Sequence, residues 1–131
     1  MFLRRAEALD AGGVSTRVVN VPVIKPLDGD TVLDVVRRSK LVVTAENHSI
    51  IGGLGSAVAE VMAEAGVGCP LRRIGLRDTF AEGARTAPPL FRKYGLGTQD
   101  IIDAAWSALS RTGAAPAAPV VDAAPGEYAP V

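Results

Sequence analysis

The sequence contains a single cysteine, Cys69, and a single histidine, His48, among 131 residues. No disulfide can form within such a chain, and a soft-metal site of three or four thiolate or imidazole ligands cannot be assembled from it. Aromatic residues make up only 5%, so the core must be aliphatic. Neither sign of charge is in excess: 14 Lys and Arg balance 14 Asp and Glu. Zero net charge removes the sequence-wide attraction that a small nucleic-acid-binding or membrane-surface domain ordinarily carries. No stretch approaches the roughly 20 apolar residues of a membrane span. The opening MFLRRAEALDAGG has charges within its first five residues and no apolar signal-peptide core. These absences predict a soluble cytoplasmic protein in a reducing compartment, with no nucleic-acid or membrane partner. What is present is 48% hydrophobic residues, enough to bury the core of one small domain.

Along the chain, Phe2, Leu3, Ala6 and Leu9 keep helical spacing before a Gly12-Gly13 stop. The β-branched run from Ser15 to Val21 reads as a strand ending at Pro22. Asp30 is expected to cap a helix carrying Val32, Leu33, Val35 and Val36 that ends near Ser39. Leu41 to Ala45 is continuously apolar, as in a central strand covered on both faces. After it, Ile50, Ile51, Leu54, Ala57, Val58, Val61, Met62 and Ala65 form one helical stripe that Gly66 ends. Leu71 to Leu76 reads as a further strand. Pro88-Pro89 opens a short helix through Tyr94, and Thr98 caps a last helix burying Ile101, Ile102, Ala105, Trp106 and Leu109. This order predicts an α/β fold, three-layered, with a mostly parallel sheet over residues 1–112. A sheet of that kind that opens on a helix also reads as N-terminally truncated. Residues 113–131, rich in Ala and Pro without periodicity, read as a disordered tail.

Chemistry is concentrated where the apolar strand meets its helix. Glu46, Asn47, His48 and Ser49 are consecutive polar residues, followed by Gly52, Gly53 and Gly55. Glycines at a helix start admit either of two roles: a backbone cradle for an anion, or close packing against a neighbouring element. The dinucleotide fingerprint is deficient, with Val58 where a last Gly or Ala belongs, which favours packing. Glu46 and His48 on one strand would share a face and could do acid–base work, but no nucleophile is placed beside them. No Gly-Lys-Ser/Thr phosphate loop occurs, and Asp28-Gly-Asp30 before a helix reads as turn and cap rather than a metal loop. Arg72, Arg73 and Arg77 either solvate a sheet edge or meet an acidic substrate; the edge is favoured.

The segment Glu46-Asn-His-Ser-Ile-Ile-Gly-Gly-Leu-Gly-Ser-Ala-Val-Ala-Glu60, preceded by Ile24-Lys-Pro-Leu-Asp28, resembles the C-terminal domain of transketolases. Arg73-Ile-Gly-Leu-Arg-Asp-Thr-Phe80 is similar to that domain's R-I-G-x-x-D-x-F, and Lys93-Tyr-Gly-Leu-Gly-Thr-Gln-Asp-Ile101 to its Y-G-L-T-x-x-D-I. The likeness runs from about Leu3 to Leu109. Deoxyxylulose phosphate synthases and 2-oxoacid dehydrogenase β subunits share the glycine-rich helix start and rank second. The resemblance implies the last of three domains in a thiamine-diphosphate enzyme that transfers ketol groups between sugar phosphates. It implies thiamine diphosphate and Mg²⁺ for the whole enzyme, held by other domains, and no catalytic, cofactor or metal residue in this chain. Glu46, Asn47, His48, Ser49, Gly52, Gly53 and Gly55 are then helix-start or interface candidates, and the partners are thiamine-domain subunits or a second copy. A freestanding anion-binding module is the remaining alternative. After Phe80 the family's G-x-S-G is replaced by Ala81-Glu-Gly-Ala84.

Overall fold

The computed structural model describes residues 7, 9–83 and 87–111. The backbone gathers into two compact units, one of Asn20–Thr79 and one from the described parts of Met1–Val19 and Phe80–Val131.

The first unit is a β-α-β arrangement with one extra helix. Helix α1, Gly29–Arg37, is capped by Asp28, whose carboxylate accepts from the Thr31 amide at 3.0 Å and the Thr31 hydroxyl at 2.7 Å. The cap is therefore Asp28 and not Asp30, which lies in the first turn where its charge opposes the helix dipole favourably. Strand β1, Val42–Ser49, leads to helix α2, Leu54–Glu64, and back to strand β2, Leu71–Leu76. The two strands run parallel, Val42 beside Leu71 and Ala45 beside Ile74. Val36 of α1 and Val58 and Met62 of α2 form the buried centre, with Leu27, Val32, Val42, Leu54, Val67, Cys69 and Leu71 packed around it. Both helices thus bury their apolar stripes with the apolar starts of the strands, the contact that an aliphatic chain must make to remove this surface from water. Gly66, at φ +62°, lets the Val67 amide fold back to the Met62 carbonyl and end α2.

The second unit contains helices α3, Ala87–Lys93, and α4, Thr98–Ser110. In α4 the predicted apolar face is buried: Ile101, Ile102, Ala105, Trp106 and Leu109, with Ala108. Its cap differs from the expectation. Gly97 occupies that position and has no side chain to accept the first-turn amides; its own amide donates to Asp100 at 2.8 Å, the reciprocal half of a capping box. Trp106 lies against Gly12, where a Cβ would come within 2.6 Å of the indole. Residues 9–11 are helical and close on Gly13, whose φ of +83° lets the Val14 amide reach the Leu9 carbonyl. Phe2, Leu3 and Ala6 lie outside the described residues, as does the tail assigned to 113–131.

Three elements depart from the sequence-based expectations. Residues 15–21 form no ladder, and the described residues contain two strands, not three. β-branched side chains favour extended backbone, but a strand needs a neighbour to take its amides and carbonyls. Here the Thr16 amide instead bonds Asp10 Oδ1 at 2.8 Å, and Val18 and Val19 stay exposed. β1 extends beyond Ala45 to Ser49, and α2 begins at Leu54, so Ile50 is buried at the strand exit while Ile51 faces solvent. No helix among the described residues is long and apolar enough to cross a membrane.

Candidate functional site

The strand exit departs from regular pairing just where the polar cluster lies. Ala45 pairs with Ile74 and Ser49 with Leu76, so Glu46, Asn47 and His48 together oppose Gly75 alone. A bulge of this kind re-aims side chains and ends strand alternation. Gly75 makes room for it: a Cβ there would lie 2.8 Å from Ile50 Cγ2, 2.9 Å from the His48 carbonyl and 3.1 Å from Glu46 Cγ.

The bulge turns Glu46 toward the start of α2. Its Oε2 accepts the Leu54 amide at 2.7 Å and its Oε1 the Gly55 amide at 2.9 Å. A carboxylate from eight and nine residues earlier thereby satisfies two of the amides that the helix cannot pair internally, at the positive end of its dipole. The glycines permit this approach. A Cβ on Gly53 would collide with the Glu46 carboxylate and lie 2.5 Å from the Ser49 carbonyl; one on Gly55 would meet Arg73 Cδ at 2.6 Å and Thr44 Oγ1 at 2.7 Å. Gly52, at φ +72°, supplies the left-handed turn that brings the chain round. Between the two roles left open for these glycines, the geometry selects packing, because the chain's own carboxylate takes the helix amides that an anion would need.

A second set of bonds fixes the loop from below. Ser56 Oγ donates to the Ile50 carbonyl at 2.8 Å and accepts the Gly52 amide at 3.1 Å. Arg73 Nη1 reaches the same carbonyl at 2.9 Å and Ser56 Oγ at 3.1 Å. Arg73, half-buried, is therefore engaged at the start of α2, whereas Arg77 is exposed. Thr44, 6% exposed, faces Gly55 with its hydroxyl unpartnered. The sequence reading missed Gly75, Ser56 and the engagement of Arg73. The signal available was a lone glycine inside a strand pattern, a mark of a bulge or of close backbone approach.

Glu46 and His48 do not act on one face. Glu46 is half-buried and engaged by the helix, whereas Asn47 and His48 are exposed, His48 Nδ1 lying 3.3 Å from the Ser49 carbonyl. The bulge is the physical reason, since it breaks the two-residue period on which the shared face depended. The Ser49 hydroxyl accepts the Ile51 amide at 3.1 Å. An open cleft of about 380 Å³ lies over this exit, lined by Val21 and Ile24 on one side and by Ala45 to His48 with Gly52 to Leu54 on the other. Among the described residues no three His, Cys, Asp or Glu side chains converge as metal ligands. Cys69 donates its thiol to the Ser39 carbonyl at 3.3 Å, and burial pushes its pKa up, so it rests as a neutral thiol.

Comparison with known proteins agrees with the residues on this loop. Residues 1–101 match the family described as "Transketolase, C-terminal domain". A 6-deoxy-6-sulfo-D-fructose transketolase subunit of Clostridium sp. (strain MSTE9) is 44% identical over 109 residues, which are 83% of this chain and 33% of that protein. A 1-deoxy-D-xylulose-5-phosphate synthase of Caldanaerobacter subterraneus subsp. tengcongensis is 41% identical over 98 residues, 75% of this chain and 16% of that one. Among solved structures, a chain described as "Split gene transketolase, inactive beta4 tetramer" superposes with a TM-score of 0.74 at 42% identity, covering 82% of this chain and 35% of that chain. The chain spans about a third or less of the length of these proteins. With the glycine-rich helix start, the Glu46 to Glu60 wording and more than half of the sequence matched, the chain belongs to the transketolase C-terminal domain family.

Proposed function

We propose that this chain is a noncatalytic C-terminal assembly domain or subunit of a transketolase-like thiamine-diphosphate enzyme, the whole assembly transferring ketol groups between sugar phosphates. The observation that carries this reading is the Glu46 carboxylate on the Leu54 and Gly55 amides: the one phosphate-binding device the sequence suggested is filled by a side chain of the protein. The described residues do not fit thiamine diphosphate or Mg²⁺, because the Leu54 and Gly55 amides are taken and no acidic cluster converges among them. In this reading cofactor chemistry belongs to other domains of the assembly, and no reaction step is assigned to this chain.

In this reading the hydrogen-bonded loop from Glu46 to Gly55 serves contact with another chain. Glu46, Gly52, Gly53 and Gly55 shape it, and Asn47 and His48 lie at its surface with half-buried Ser49, near exposed Ile51. The partners are thiamine-domain subunits or a second copy; the neighbour described as a tetramer supports association of related chains. The single, half-buried free thiol of Cys69 is in keeping with a reducing, cytoplasmic setting. The 41% identity to a deoxyxylulose phosphate synthase supports a second reading in which the parent enzyme is of that kind.

The test uses the purified chain. Sedimentation velocity at micromolar concentration should show association, and incubation with thiamine diphosphate, Mg²⁺ and sugar phosphates should give no ketol transfer. Turnover by the chain alone would overturn the noncatalytic role. A stable monomer that binds inorganic phosphate would instead establish the freestanding anion-binding module.

A further inference from the structure

We draw no further inference here: the strongest candidate, the 99% exposed ring of Phe80 on the loop that the Tyr94 hydroxyl and the Glu82–Lys93 ion pair tie to the end of α3, is apolar surface for which nothing in the structure shows what covers it.

Discussion

Glu46 on the bulge of β1 and Gly55 in the first turn of α2 are joined by a 2.9 Å bond from the Gly55 amide to the Glu46 carboxylate, and the same carboxylate holds the Leu54 amide. Removing it leaves two half-buried amides without partners. Glu46→Ala should therefore destabilise the fold by about 2–3 kcal/mol, the range for bonds to a charged group together with unsatisfied donors. Glu46→Gln, which keeps one acceptor oxygen, should cost less. Urea denaturation at neutral pH measures both, and equal stability of Glu46→Ala and the wild type would show that the carboxylate does not hold the helix.

Gly53→Ala tests the same contact from the other side. The new Cβ would meet the Glu46 carboxylate and the Ser49 carbonyl, and overpacking of this kind costs ~1–3 kcal/mol. Because the two residues touch, the effects of Gly53→Ala and Glu46→Ala should not add, and the double variant should be more stable than their sum. A double-mutant cycle with zero coupling would disprove the contact.

Gly75→Val should be worse than Gly53→Ala, because its branched side chain must enter the space between Ile50 Cγ2, the His48 carbonyl and Glu46 Cγ. Loss of about 3 kcal/mol or failure to fold is expected, with Gly75→Ala milder at ~1–3 kcal/mol. Circular dichroism melting of the two variants reads the difference; a Gly75→Val chain as stable as the wild type would show that β1 has no bulge to accommodate.

Asp28 supplies a pH dependence. The Thr31 amide, and then the Thr31 hydroxyl, hold its carboxyl below the ordinary value of 3.8. A depressed folded pKa means that the stability it adds is present above pH 3.8 and is lost as pH falls through the lower folded value. Asp28→Ala should consequently weaken the protein at pH 7, and the gap to wild type should narrow on acidification below pH 4. Asp28→Asn, still a helix cap, should lose less at pH 7 and show a flatter acid limb. A gap independent of pH would sink this account.

Cys69 predicts a slow thiol. Burial raises its pKa above 9.0, so at pH 8 a thiol reagent should label the native chain more slowly than the urea-unfolded chain. Equal rates would mean that the thiol is not sheltered by the core around Val36 and Met62.

Much of the architecture was legible in the residues. The α4 stripe from Ile101 to Leu109 and the stop at Gly66 follow from helical period and from the freedom of glycine at positive φ, both local properties of the chain. The turn from Asp28 was visible as well, although the choice between Asp28 and Asp30 as cap depended on where the backbone left its extended course. The family, too, was readable, because the Glu46 to Glu60 wording is itself a property of the sequence.

Tertiary structure alone decided what that wording does. Whether Ser15 to Val21 becomes a strand depends on a neighbour for its amides, which propensity cannot supply. Whether Glu46 shares a face with His48 depends on a bulge set by Gly75 across the ladder, 29 residues away in sequence. Whether the glycines at Gly53 and Gly55 cradle an anion or pack depends on which group reaches the helix amides first in space. Sequence spacing fixes the candidates; the close approach of Glu46, Arg73 and Gly75 around one helix start settles that the group is the protein's own carboxylate, because a tethered charge already within 3 Å of the Leu54 and Gly55 amides leaves them nothing to offer a ligand.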